Sequence, residues 1–232
     1  MSTQFGNVAF IIWRESVEAL LVIGILNAWL ASQREIASRG RIFLWAGVAT
    51  GLLVAVGLGV IFIAFGEAIS DEAQQGYQTG AVLVAAALII QMVFWMRRHG
   101  RTLKRELETS LQDAAARSSW WTVFILALVA VAREGSETVV FLFGTLAAIQ
   151  HASLAGIIVA IIVGFALALA TYYVLQLGSR VLSWRVFFGV TEVMLLLLAA
   201  SLLVTGVENL GALGVLPTPV LDFAAASITT IF

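Results

Sequence analysis

The chain has 232 residues, of which 61% are hydrophobic and only 12% are charged. That charged fraction is about half of the usual soluble value, so a soluble domain of this composition would lack a polar surface. The composition therefore indicates a polytopic α-helical membrane protein. The net charge of −1 gives no basis for binding nucleic acid, and the absence of Cys excludes disulfides and thiolate metal sites.

Six apolar runs are long enough to cross a bilayer, which takes about 20 residues in a helix. They occupy residues 8–31, 42–65, 77–96, 120–149, 154–177 and 181–207. A shorter stretch at 215–232 contains two prolines and an aspartate, and we expect a re-entrant piece or a partial seventh helix there. The first seven residues carry no Lys or Arg, so we expect the first helix to be retained rather than cleaved as a signal peptide.

Charges between the spans predict the orientation of the chain. All 11 basic residues outside two repeated motifs fall in the first, third and fifth connections, whereas the second connection carries only Glu67, Asp71 and Glu72. The positive-inside rule makes the basic connections cytoplasmic and puts the N-terminus outside. The third connection, 97–119, is then a cytoplasmic linker. The acidic connection faces outward, where it would raise the local concentration of cations.

Two matching strings of charged residues interrupt the apolar runs. R-E-S-V-E occupies residues 14–18 of the first span, and R-E-G-S-E occupies residues 133–137 of the fourth. At 1.5 Å per residue both strings lie about 15–20 Å into their spans, near the centre of a bilayer. One charged residue there costs about 2.5–3.5 kcal/mol on insertion scales. Six such residues in two copies therefore predict a functional polar site.

The spacing of the two strings predicts an internal repeat. They lie 119 residues apart and three spans apart, so the fourth helix runs opposite to the first. This pattern is typical of an inverted repeat of two three-helix halves, with repeat 1 at 8–96 and repeat 2 at 120–207. Residues 1–232 would form one membrane domain ending in a C-terminal segment, 208–232. Transporters of this kind bind their substrate near the midplane, between the halves.

The glutamates of each string share a helix face because they are three residues apart. If the two helices cross near the midplane, four carboxylates converge, and carboxylate oxygen suits hard or borderline cations rather than Cu(I). Four ionised glutamates and two arginines carry a charge of −2, which a divalent ion would neutralise. The predicted ligands are Glu15, Glu18, Glu134 and Glu137, and Arg14 and Arg133 are expected to orient them.

Other polar and small residues add weaker predictions. Glu192 lies about 11 residues into the sixth span, and as an intramembrane acid it is a candidate relay or exit ligand, unless it pairs with an inner arginine such as Arg185. Together with Glu67, Asp71 and Glu72 it makes up the predicted access and relay residues. Small residues at helix-packing spacing predict close contacts between helices: Gly47, Gly51, Gly135, Gly156, Ala160, Gly164 and Ala168.

At the two charged strings the chain resembles the high-affinity iron permease family, which includes Efe-type bacterial ferrous iron permeases and oxidase-coupled fungal iron permeases. The family mark is R-E-G-x-E in the first and fourth helices. The second string matches it fully, and the first has Ser16 where glycine is usual. The string V-F-W-M-R at 93–97 is also similar. Family members usually have a seventh helix, so a sequence ending at Phe232 would be a short member or a truncated form.

The resemblance implies import of iron ions across the cytoplasmic (inner) membrane, with the motif glutamates as ligands and no enzymatic activity. Iron is then the substrate, and no organic cofactor is expected. Besides membrane lipid, the implied partners are extracytoplasmic proteins that bind or oxidise iron, and a homo-oligomer is left open.

Three other interpretations stay open on the sequence. Oxygen ligands serve several metals, so a permease for Mn²⁺ or Pb²⁺ is one alternative. Paired glutamates on facing helices also bind two irons in carboxylate enzymes, although those sites use Glu-x-x-His and neither string contains His. The third alternative is a structural scaffold in which each arginine only neutralises its neighbouring glutamates, which is a costly way to gain stability.

Overall fold

A computed structural model of the chain describes residues 2–32, 37–99, 120–148, 153–176 and 184–215. This part of the chain forms six α-helices and contains no strand, which confirms the all-α class. The helices are α1 (Ser2–Ser32), α2 (Ala37–Ala68), α3 (Asp71–His99), α4 (Trp120–Ala147), α5 (Leu154–Gln176) and α6 (Trp184–Ala212).

Each predicted span corresponds to one helix, but several helices continue beyond the apolar run. α2 and α3 extend through most of the acidic connection, and Gln74 N donates to Ser70 O at 2.9 Å in the first turn of α3. α6 continues past the predicted end at residue 207, and residues 97–99 of the expected linker belong to α3. Hydropathy marks the run that suits hydrocarbon, whereas backbone hydrogen bonding lets a helix continue among polar residues. Residues 100–119 and 216–232 lie outside the described residues.

The helices have the lengths of membrane spans. Four of them contain segments long and apolar enough to cross a membrane, within the described ranges. α1 and α4 are also long, at 31 and 28 residues, but each carries three charged motif residues near its middle. Large apolar side chains such as Leu53 on α2 and Ile162 on α5 are exposed on the protein's surface. A surface this apolar matches a lipid environment, so the chain is a multi-pass membrane protein. The four apolar segments are Arg39–Ala68, Ala73–Arg98, Leu154–Gln176 and Gly189–Ala212.

Glycines allow two pairs of helices to approach almost backbone to backbone. α2 packs along α4, α1 packs along α5, and α3 packs against α6 and α4. A Cβ atom added to Gly47 would lie 2.5 Å from the carbonyl oxygen of Phe124, and one added to Gly164 would lie 2.5 Å from that of Ala9. Both predicted close contacts are therefore confirmed. Gly156 is the exception, since its nearest neighbour is Ser153, just before its own helix.

Two buried apolar clusters show that α1 and α4 run in opposite directions. The first cluster contains Ile11 of α1, Phe141 of α4, and residues of α3 and α6. The second contains Val22 and later residues of α1 together with α2 and the first half of α4, up to Val131. Along both helices the charged string lies between the two clusters. The two motifs therefore lie at the same level of the bundle, between two buried apolar clusters.

Candidate metal-binding site

Three motif glutamates meet between α1 and α4. Glu15 of α1 and Glu134 and Glu137 of α4 each offer one carboxylate oxygen, and these three oxygens lie within 4.8 Å of one another. Two oxygens bound to one cation cannot be farther apart than twice the metal–oxygen distance, which is about 4–5 Å for ligands at 2.0–2.6 Å. The spacing is thus at the upper limit for a shared ion. We call these three residues the carboxylate cluster.

The cluster is largely buried, and several of its oxygens have no hydrogen-bond partner in the described part of the chain. Glu15 is 2% exposed and Glu134 is 9% exposed. In all three glutamates the Oε2 atom is buried and has no hydrogen-bond partner among the described residues. Buried ionised oxygens are unfavourable unless a donor or a cation satisfies them. A bound cation would satisfy several of these oxygens at once, and their chemistry suits a hard or borderline metal.

Arg14 neutralises the α1 side of the site. Its side chain is 1% exposed, with Nη1 lying 2.6 Å from Glu15 Oε1 and Nη2 lying 2.5 Å from Glu18 Oε1. The contact with Glu18 is an ion pair without hydrogen-bond geometry, because Glu18 Oε1 still has no hydrogen-bond donor in the described part of the chain. Glu18 is therefore held beside the cluster, and three of the four predicted ligands meet directly.

Arg133 neutralises the α4 side in a more open position. Its Nε donates to Glu137 Oε1 at 2.9 Å, and the side chain is 37% exposed. The guanidinium carbon lies 4.0 Å from the centroid of the Trp95 ring of α3. Each arginine thus contacts acids of its own motif. The two arginines differ strongly in burial.

Two of the predicted access and relay residues, Glu67 and Glu192, are not members of the carboxylate cluster. Glu67 is exposed in the last turn of α2, and Asp71 and Glu72 begin α3, although their side chains are outside the described part. Glu192 of α6 pairs with Arg97 near the end of α3. The side chain of Arg185, its expected alternative partner, is also outside the described part. Roles for these acids in access or relay stay predictions.

Sequence reasoning missed the contribution of α3 to the site. Met92 and Met96 accept hydrogen bonds from the two Nη atoms of Arg14, and Trp95 lies against Arg133. The available clue was their spacing, since positions 92, 95 and 96 fall on one face of a helix and that face ends beside two basic residues.

A multi-pass helical protein with a buried group of carboxylates between antiparallel helices has the features of a membrane permease for cations. The model of the iron permease FTR1 family matches residues 6–215 of this chain. The chain therefore belongs to the iron permease FTR1 family. Its members are permeases, and so the protein is a membrane transporter rather than an enzyme.

Several named relatives are similar over most of the chain. The ferrous iron permease EfeU of Escherichia coli O6:H1 is 30% identical over 196 residues, which cover 83% of this chain and 68% of the relative. The iron permease EfeU of Bacillus subtilis (strain 168) is 28% identical over 227 residues, covering 94% of this chain but 45% of the relative. The ferrous iron permease EfeU of Yersinia pestis is 28% identical over 194 residues, covering 83% of this chain and 67% of the relative. No solved structure matches the chain.

Proposed function

We propose that this protein imports iron across the cytoplasmic (inner) membrane and that the carboxylate cluster binds the ion near the midplane during transport. The observation that carries the proposal is the convergence of Glu15, Glu134 and Glu137 from two antiparallel helices, each with a buried and unpartnered Oε2 among the described residues. Two of the relatives are named ferrous iron permeases, which favours Fe²⁺ as the substrate.

The arginines set the charge of this site. Arg14 and Arg133 each occupy one oxygen of a cluster glutamate, Oε1 of Glu15 and of Glu137, while Oε2 of both residues has no described hydrogen-bond partner. Four ionised motif glutamates and two arginines sum to −2, which a divalent ion would balance. Glu18, beside Arg14, supplies a fourth carboxylate close to the cluster, and we propose that it binds the ion as it enters or leaves.

An inverted repeat would explain how two halves build one site. A Cβ added to Gly51 of α2 would meet the carbonyl oxygen of Leu128 and the Cβ of Val131 in α4. A Cβ added to Gly164 of α5 would meet the carbonyl oxygen of Ala9 and the Cβ of Ile12 in α1. Leu128 and Val131 follow Ala9 and Ile12 by 119 residues, the offset that also separates the two motifs.

These matched contacts support a pseudo-two-fold relation that exchanges α1 with α4 and α2 with α5. The packing of α3 on α6 agrees with it, since the same operation exchanges those two helices. Repeats related in this way place a substrate site at their interface, and the two motifs lie where α1 meets α4.

We also propose an orientation with the N-terminus outside. Basic residues occupy the start of α2 and the end of α3, at Arg39, Arg41, Arg97 and Arg98. The opposite ends of these helices carry Glu67, Asp71 and Glu72. By the positive-inside rule the basic ends are cytoplasmic, so ions would approach from the acidic side. Extracytoplasmic proteins that bind or oxidise iron would deliver them there, and assembly as a homo-oligomer is compatible with this arrangement.

Uptake of radioactive iron into proteoliposomes tests the proposal with the substitution Glu134→Gln. Gln keeps the size of the side chain but removes one anionic ligand. Loss of a residue that supports a metal ligand typically costs about 10–100-fold, and we expect loss of a ligand to lower uptake by at least as much. The matched control is Glu208→Gln, an exposed acid of α6 away from the cluster, which should transport normally.

Two outcomes would overturn the proposed site. Unchanged uptake by Glu134→Gln would show that the cluster does not carry the ion. If Glu134→Gln instead lowers the yield of folded protein while the folded fraction transports normally, the structural scaffold is supported. Competition by Mn²⁺ and Pb²⁺ in the same assay decides between iron and another divalent metal as the substrate.

A further inference from the structure

Three side chains of α3 contact both motif arginines. Met92 and Met96 accept hydrogen bonds from the two terminal nitrogens of Arg14, and the ring of Trp95 lies against Arg133. They occupy positions 92, 95 and 96, which fall on one face of the helix. We call Met92, Trp95 and Met96 the arginine-support face. One helix face thus reaches the charged residues of both motifs.

The methionine contacts give each terminal nitrogen of Arg14 a sulfur acceptor, while Nε has no hydrogen-bond partner among the described residues. A guanidinium has five N–H groups, and each of its terminal nitrogens carries two of them. Nη1 donates to Glu15 and Met92, whereas Nη2 donates to Met96 and forms an ion pair with Glu18. The thioether sulfurs are weak acceptors, but they are well placed because the Arg14 side chain is only 1% exposed. They also add no negative charge to a site that already carries four acids.

The Trp95 contact restrains Arg133 in a different way. The guanidinium carbon is 4.0 Å from the ring centroid, which is within the range of a cation–π interaction. Arg133 is considerably more exposed than Arg14 and makes one ion pair within the described part of the chain, to Glu137. The contact with the ring therefore limits the rotamers that this more exposed side chain can adopt.

We propose that the arginine-support face is a positioning surface that holds both guanidinium groups on the Oε1 side of Glu15 and Glu137 and so keeps Oε2 of both residues available to the transported ion. The inference rests on the proposed function of the carboxylate cluster. If the face is removed, each guanidinium gains freedom to bridge both oxygens of its carboxylate. Such a bidentate pair is the preferred geometry of arginine with a carboxylate, and it would compete directly with the ion.

The first test replaces Trp95 and measures uptake kinetics of Fe²⁺ in proteoliposomes. We expect Trp95→Leu to raise KM about tenfold, the lower end of the effect of residues that orient metal ligands, with little change in maximal rate. Trp95→Phe keeps an aromatic face and should restore most of the affinity. Phe94→Leu is the matched control, because Phe94 is a neighbouring aromatic residue of α3 that is exposed on the outer surface.

The second test removes the sulfur acceptors without changing the volume of the core. Met and Leu are nearly isosteric, so Met92→Leu and Met96→Leu should fold. In the double variant two N–H groups of Arg14 lose their acceptors, and we expect a rise in KM similar to that of Trp95→Leu. Met194→Leu on α6, where the methionine is exposed, controls for loss of a thioether as such.

Equilibrium binding of Fe²⁺ to the detergent-solubilised variants separates positioning from a general defect. We expect weaker binding in the Trp95→Leu and double methionine variants, with rescue by Trp95→Phe. It is overturned if these variants bind and transport like the wild type while Glu134→Gln has lost uptake. If Glu134→Gln itself transports normally, the proposed function fails instead. A fall in maximal rate with unchanged KM and unchanged binding would also overturn the positioning role.

Discussion

The two motif arginines are expected to differ greatly in their contribution to stability. We consider Arg14→Gln and Arg133→Gln, which remove one positive charge each from matching positions of the two motifs. Arg14 is 1% exposed and lies within 2.6 Å of oxygens from two glutamates, whereas Arg133 is 37% exposed and forms one ion pair at 2.9 Å. The difference in burial predicts the difference in free energy.

The magnitudes follow from these surroundings. Breaking a buried ion pair by removing one partner costs about 3–5 kcal/mol, since the remaining charge stays buried without compensation. We therefore expect Arg14→Gln to lower the free energy of unfolding by about 3–5 kcal/mol. At Arg133 the loss combines a partly exposed ion pair, worth about 0–1 kcal/mol, with a cation–π contact worth about 0.5–1 kcal/mol. The expected cost of Arg133→Gln is thus about 0.5–2 kcal/mol.

Unfolding free energies measured by steric trapping in bicelles provide the assay. The wild type and both variants are compared in the same lipid and buffer, in the absence of added metal. Equal losses in the two variants, or a larger loss in Arg133→Gln, would refute the reasoning, because burial would then not control the energy of these pairs. A loss below about 1 kcal/mol in both would show that water reaches Arg14 freely, as at exposed ion pairs.

Three further predictions concern packing, the second ion pair and metal binding. Gly51→Ala should destabilise the protein by about 1–3 kcal/mol because the new methyl group would lie 2.8 Å from Val131 Cβ. Gly57→Ala, whose Cβ meets nothing within 4 Å in the described structure, should not destabilise it. Equal decreases in the thermal unfolding temperature of the two variants would contradict the prediction. A double-mutant cycle on Arg97 and Glu192 should give a coupling energy of about 1 kcal/mol or less, because Arg97 is exposed. A clearly larger coupling energy would contradict this prediction and indicate a buried pair. Fe²⁺ at about 100 times its Kd should stabilise the wild type by about 2.7 kcal/mol and Glu137→Gln by much less, measured as the rise in the thermal unfolding temperature. An equal rise in the two proteins would show that the ion binds elsewhere.

Local properties of the chain were predictable to within a few residues. Each of the six apolar runs corresponds to a helix, because a bilayer-length run of apolar residues is recognisable without knowledge of its neighbours. The helix ends were less accurate. α2 and α3 continue on both sides of the short segment at residues 69 and 70, since a helix ends where its backbone hydrogen bonding ends and not where its hydropathy falls.

The glutamates show where prediction from spacing reaches its limit. Residues three apart on a helix share a face only approximately, since they are separated by about 60° around the axis. That angle is enough for Glu15 to enter the cluster while Glu18 rests on Arg14. Which of two such residues points inward depends on the rotation of α1 against α4, and no local pattern encodes that rotation.

The sequence by itself determined that this is a membrane protein with six long helices and with two charged strings inside apolar runs, because the cost of burying charge in lipid makes such strings conspicuous. Its resemblance to iron permeases was likewise carried by short contiguous strings. Only the tertiary structure decided which three carboxylates meet, how unequally the two arginines are buried, and that Met92, Trp95 and Met96 of a third helix support both arginines. Those features depend on how helices distant in the chain rotate and cross, and packing of the whole bundle sets that geometry.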